Sequence, residues 1–200
     1  MTITNGYTTL DKVKITKDIG ELDAADDAFI EDAITAASRF IDGEAGRRFW
    51  KDAADATRTY RAAAGDTVFV DDLVSVTTLK TDLDGDRVYE TTWTATDYDL
   101  MPENASTDGQ PYTWIQVTPM GSYSFPRQPK GVQVVGKFGF PSVPADIEYA
   151  CRLIALRCYQ NRYGQNIDGP ATITAAGVVI KPSDVPKLAR DMIARWVRHT

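Results

Sequence analysis

The side chains able to do chemistry in this 200-residue chain are few, and their spacing suits little of it. Asp82, Asp84 and Asp86 alternate in Asp82-Leu83-Asp84-Gly85-Asp86, as oxygen ligands do in a calcium loop. Glycine falls fourth instead of sixth, however, and no glutamate stands twelfth, so the run reads as a solvated hairpin tip whose Asp-Gly pair suits a tight turn. Asp71 and Asp72 are adjacent, and on a strand they point to opposite faces, which leaves no carboxylate pair for acid/base work. The only histidine, His199, cannot build a histidine triad or a multi-histidine metal site within one chain. Cys151 and Cys158, if helical, have Cα atoms about 10.5 Å apart, beyond the roughly 7 Å reach of a disulfide, and read as core filler. Gly136-Lys137-Phe138-Gly139 carries neither a dinucleotide fingerprint nor a phosphate-loop ending. The expectation is a protein that is not an enzyme, with no cofactor and no metal.

Binding chemistry is better represented. Trp196 lies between Arg195 and Arg198 near the C-terminal end, with Lys187 and Arg190 on the same segment, and tryptophan and arginine dominate binding hot spots. A terminal helix that folds back on its own core accounts for the same residues, and both readings stand. Trp50, Trp93 and Trp114 read as core or sheet-packing residues.

Around these residues the chain divides by its periodicity. Leu10, Val13, Ile15 and Ile19 predict a short helix over 8–19. Ile30, Ala33, Ile34, Ala37 and Ile41 predict a longer one, with Asp23, Asp26 and Asp27 at its positive end and Gly43 and Gly46 at its close. Strands are predicted over 57–62, 67–70, 74–81, 87–92, 113–117 and 132–138, with long loops over 101–110 and 119–130. Pro144 and Asp146 open a helix through Ile147, Ala150, Cys151, Ile154 and Cys158 that stops near Gly164. Residues 164–182 read as a mobile extended arm or loose hairpin, and a helix from about Ser183 places Leu188, Met192, Ile193, Trp196 and Val197 on one side. This organisation predicts an α+β fold: helices of residues 1–50 and 141–163 in a bundle, a β-rich insertion over 51–140, and an arm with a terminal helix over 164–200.

Composition agrees with a folded chain, 43% hydrophobic and 25% charged. No apolar stretch is long enough to cross a membrane, and the polar N-terminal residues lack a secretory pattern, so a cytoplasmic site of synthesis and no membrane partner are expected. The net charge of −6 argues against non-specific nucleic-acid binding. It is uneven: residues 1–140 carry 14 basic and 23 acidic groups, and residues 141–200 carry 8 and 5. A basic end on an acidic body suggests a partner for that end.

The ordered segments Ala36–Asp42 with Gly46-Arg47-Arg48-Phe49, Asp71–Lys80 leading to Asp84-Gly85, and Gly136–Pro141 with Pro144–Ile147 together resemble the head-tail connector (adaptor, or head-completion) proteins of tailed bacteriophages over nearly the whole chain. That resemblance implies a helical bundle with an inserted β module and a ring of about a dozen copies beneath the portal. Its implied partners are the portal protein, a tail-proximal stopper or tail-terminator protein, and genome double-stranded DNA that passes through the lumen without specific binding. The C-terminal segment would bind the portal, making Lys187, Arg190, Arg195, Trp196 and Arg198 the candidate contacts, and the protein would be a virion component assembled in the host cytoplasm. An acidic body suits such a conduit, because DNA carries about one negative charge per 1.7 Å of axis. The β region is larger than in the nearly all-helical members. Two other classes stay open, a β-rich tail or baseplate binding module and a carboxylate-based enzyme acting on glycans.

Overall fold

The computed structural model describes residues 3–16, 24–162, 172–173, 179–180 and 185–198. The fold is α+β, and the chain forms two compact units, Met1–Phe49 with Val143–Thr200 and Trp50–Ser142.

The first unit is built from α1 (Leu10–Thr16), α2 (Ala24–Ala45), α3 (Ala145–Arg162) and α4 (Lys187–Ala194). The α2 stripe Ile30, Ala33, Ile34, Ala37 and Ile41 is buried as the spacing requires, and it meets Ile147, Ala150, Cys151 and Ile154 of α3. Small residues let the two helices approach: Ser38 Oγ donates to the Ile34 carbonyl at 2.7 Å and lies 3.4 Å from Cys151 Sγ. Gly46, at φ +64°, closes α2 in the left-handed conformation that favours glycine. α1 begins at Leu10, two residues later than expected, and the expected end at Ile19 lies outside the described residues. Val13 is its buried residue, whereas Ile15 is 78% exposed. The two cysteines are free thiols, with Cys151 buried and Cys158 partly so. Thr172–Ile173 and Val179–Ile180 pair antiparallel within the stretch read as an arm or loose hairpin; the rest of that stretch lies outside the described residues, as does the expected mobility of the arm.

The second unit is a single antiparallel sheet of β1 (Ala56–Tyr60), β2 (Thr67–Thr81), β3 (Thr91–Trp93), β4 (Tyr98–Met101), β5 (Tyr112–Val117) and β6 (Val132–Phe138). The strand order is β1-β6-β2-β5-β4, with β3 beside the far end of β2. Its core holds no helix residue: Val68, Val70, Leu79, Ile115, Val134 and Phe138 converge from the strands themselves. β2 carries two of the predicted strands as one. Its buried positions switch from even (Val68, Val70, Asp72) to odd (Leu73, Leu79, Thr81), and register shifts flank Leu73, as bulges require. At one shift the backbones nearly touch, so that a Cβ on Gly136 would lie 2.0 Å from the Ser75 carbonyl oxygen. The ends of the unit are tied together, because Asp52 N–H donates to the Phe138 carbonyl at 2.8 Å and Phe138 N–H donates to Asp52 Oδ2 at 3.3 Å.

Two local expectations need correction. Residues 87–90 are not strand, since pairing of β2 with β3 begins only at Thr91. β4 lies within and ahead of a region expected to be loop, and it has no long alternating pattern of its own. The stretch over 119–130 is a loop as expected and mostly exposed, and it is anchored at Phe125, which is buried, stacks on Trp93 at 4.4 Å and 7°, and whose N–H donates to the Gly65 carbonyl at 2.7 Å.

Candidate docking surfaces

The terminal helix sorts its side chains in a way the sequence did not indicate. Ala189 and Ile193 form the buried stripe of α4, while Leu188 is 51% exposed beside Lys187, Arg190, Asp191 and Arg195. The helix begins at Lys187, after Pro186, and not near Ser183. Trp196 is partly buried and meets Phe49 edge-on, with ring centroids 5.9 Å apart at 89°; Phe49 meets Tyr7 the same way at 5.8 Å and 82°. Arg198 N–H donates to the Ala45 carbonyl at 3.0 Å, which ties the segment after α4 to the end of α2. Arg195 reaches Asp146 Oδ2 at 3.6 Å, an exposed pair of small energetic weight. Of the five candidate contacts, the structure therefore presents Lys187, Arg190 and Arg195 outward, and gives Trp196 and Arg198 positions in the packing of the unit.

Beneath Phe49 lies a polar node. Tyr7 Oη donates to Asp42 Oδ1 and accepts the Phe49 N–H at 2.8 Å, and Arg39 Nε donates to Asp42 Oδ2 at 2.8 Å. Burial, and then the hydrogen bond to Asp42, push the Tyr7 phenol well above its ordinary value. Burial likewise raises the Asp42 carboxyl, against the pull of Tyr7 and Arg39. Burial raises the Cys151 thiol to about 11, so it is inert filler at neutral pH.

The acidic run is not a bare hairpin tip. Asp82 is fully buried, and its carboxylate accepts the Gly85 N–H at 2.7 Å and the Arg87 N–H at 3.0 Å, while Gln128 Nε2 donates to its carbonyl at 2.6 Å. Asp84, Asp86 and Glu90 are exposed, and each can bring an oxygen within 4.8 Å of the others and of Asp82. Both oxygens of Asp82 already serve the turn, so the cluster is explained as the frame of a long loop. Asp71 also has a structural role, taking Arg58 Nη1 at 2.6 Å and Tyr60 Oη at 3.1 Å.

A surface that the sequence did not single out lies on the outer face of β2, β5 and β4. Register places Phe69 opposite Trp114 and Trp114 opposite Met101, giving an apolar row across three strands on the face away from the core. Phe69 is 61% exposed and leans on Trp114 at 6.4 Å. The next row is polar: Thr67, Gln116 and Asp99. Two concavities adjoin the rows and share Met101 and Glu103, one of about 440 Å³ and one of about 470 Å³. Asp66, Asp99, Glu103 and Asp108 line them, and no basic residue does.

No protein-family model and no curated protein sequence matches the chain. Among solved structures, it is similar over 100% of its length to 94% of a chain from the neck of an empty gene transfer agent particle computed with C6 symmetry, at a TM-score of 0.56 and 20% identity. It is also similar, over the same shares of the two chains, to one from the virion of a native gene transfer agent particle, at a TM-score of 0.47 and 19% identity.

Proposed function

We propose that this chain is a structural, non-enzymatic head-tail connector of a tailed phage or phage-like particle: copies form a ring below the portal that joins the DNA-filled head to the tail and lets DNA pass. The observation that carries the reading is the fold shared along the full chain with a component of a particle neck, which agrees with the resemblance of the sequence segments to phage connectors. A ring of twelve is compatible with the sixfold symmetry applied to that neck. The net charge of −6 supports passage of DNA without adhesion. On the portal side, Lys187, Arg190 and Arg195 are the exposed cations available for docking, with Leu188 as an apolar companion. A tail-side stopper or terminator protein completes the set of partners.

The test is reconstitution with the portal protein encoded in the same genome, followed by negative-stain microscopy. A ring of density added to the portal supports the reading. Absence of any complex at micromolar concentration, with both proteins folded, overturns it. Charge reversal at Lys187 and Arg190 together should weaken attachment by about tenfold or more and flatten its salt dependence, because the attraction that salt screens is gone, without lowering the melting temperature.

A further inference from the structure

We infer that the outer face of β2, β5 and β4 is a docking surface for a basic, apolar-anchored protein segment, a lysine- or arginine-bearing strand or loop of another protein. Two independent features of the face converge on that occupant. The first is the apolar row of Phe69, Trp114 and Met101 on the face away from the core, in which Phe69 is 61% exposed and Trp114 and Met101 are half-buried. Aromatic residues and methionine are the types enriched at the centres of interfaces, and a contiguous exposed group of them marks a contact surface. The second is charge. Asp66, Asp99, Glu103 and Asp108 are all exposed and rim the two concavities, with no basic side chain among the lining residues.

The combination decides between ligands. Carboxylates alone would suit a wall that DNA slides past, but such a wall gains nothing from an exposed Phe69 leaning on Trp114. A neutral glycan would use the aromatic face and planar amides such as Asn104 and Gln110, yet has no need of four unpaired-sign charges at the rim. A cationic side chain uses both, gaining Coulomb attraction from the rim and a cation–π contact with the indole face. The acidic run Asp82–Glu90 supplies an internal control, since its four carboxylates cluster elsewhere in the same unit, away from the Phe69, Trp114 and Met101 row.

The experiment is calorimetric titration of the intact protein with a short synthetic peptide alternating lysine and leucine, and with its glutamate counterpart. The lysine peptide should bind and the glutamate peptide should not. Asp99→Lys with Glu103→Lys should weaken binding by about tenfold or more, and Phe69→Ser by a similar factor, whereas Asp84→Lys with Asp86→Lys, an equal change in net charge, should alter it less than about twofold. All five positions are exposed, and melting curves verify that each variant is folded. The proposal fails if the distal pair weakens binding as much as the proximal pair, if Phe69→Ser is without effect, if neither peptide binds, or if a chito-oligosaccharide binds and displaces the lysine peptide. It stands apart from the connector reading, because the titration needs no portal and no ring.

Discussion

Trp196 shows how one residue can carry two opposite readings until its neighbours are placed. Its flanking arginines gave it the look of a docking anchor, but its edge-on contact with Phe49 makes it part of a relay that runs through Tyr7 to Asp42. Trp196→Ala should therefore lower stability by about 2–4 kcal/mol, a loss that a melting curve will detect; an unchanged midpoint would return the residue to the docking surface. Tyr7 permits a pH prediction. A phenol whose pKa is raised by folding stays neutral in the folded state after the unfolded chain has begun to ionise, so its contribution is complete below pH 10.0 and is lost as the pH climbs beyond that value. Tyr60 is raised in the same direction, by burial and by the Asp71 charge. The melting temperature should fall above about pH 10, and Tyr7→Phe with Tyr60→Phe should flatten that fall while costing about 1–3 kcal/mol at neutral pH through lost hydrogen bonds. None of these partners could be found by spacing: Tyr7 and Asp42 are 35 residues apart, and Trp114 reaches Phe69 only through strand register.

Among the elements, α2 was the most legible, because Ile30 through Ile41 repeat at a helical interval that burial then follows without exception. β2 was the least. Asp71-Asp72 looks like a break between strands, but the chain continues through it by reversing which parity of residue faces the core. A second irregularity, the register shift between Val76 and Thr78, is marked on another strand by Gly136, where only a hydrogen fits against the Ser75 carbonyl. Gly136→Ala must push β2 and β6 apart and should cost about 3 kcal/mol or more, read by chemical denaturation with retention of the helical circular-dichroism signal at intermediate denaturant. The anchor of the loop over 119–130 escaped for a different reason, since one aromatic, Phe125, supplies it and a single contact leaves no periodicity. Phe125→Ala should free the loop, and limited proteolysis should then cut between Pro119 and Lys130 at a rate well above that of the parent protein.

For the molecule as a whole, the acidity resides in the β unit, which carries 8 basic and 13 acidic groups against 14 and 15 in the helical unit. Because the β unit is one continuous segment with its own core, a fragment of residues 50–142 should fold alone and melt cooperatively; a featureless melt would show that its sheet needs the rest of the chain. The intact protein in dilute solution should scatter light as a monomer or weak oligomer and form rings on the portal, and a stable dodecamer without portal would refute that timing. The tie between Asp52 and Phe138 has a further consequence, for the order in which the chain organises itself. The helical unit is split, with α2 and α3 on either side of the whole insertion, so closing it from an unfolded chain means bridging a loop of 93 residues. Once the sheet has formed, its two ends are already adjacent and the loop shrinks to a few residues, which lowers the closure cost by about 3 kcal/mol. Refolding followed by hydrogen exchange should find amides of β2 and β6 protected before those of α2 and α3, so that the insertion acts as the clasp that makes the bundle's assembly local.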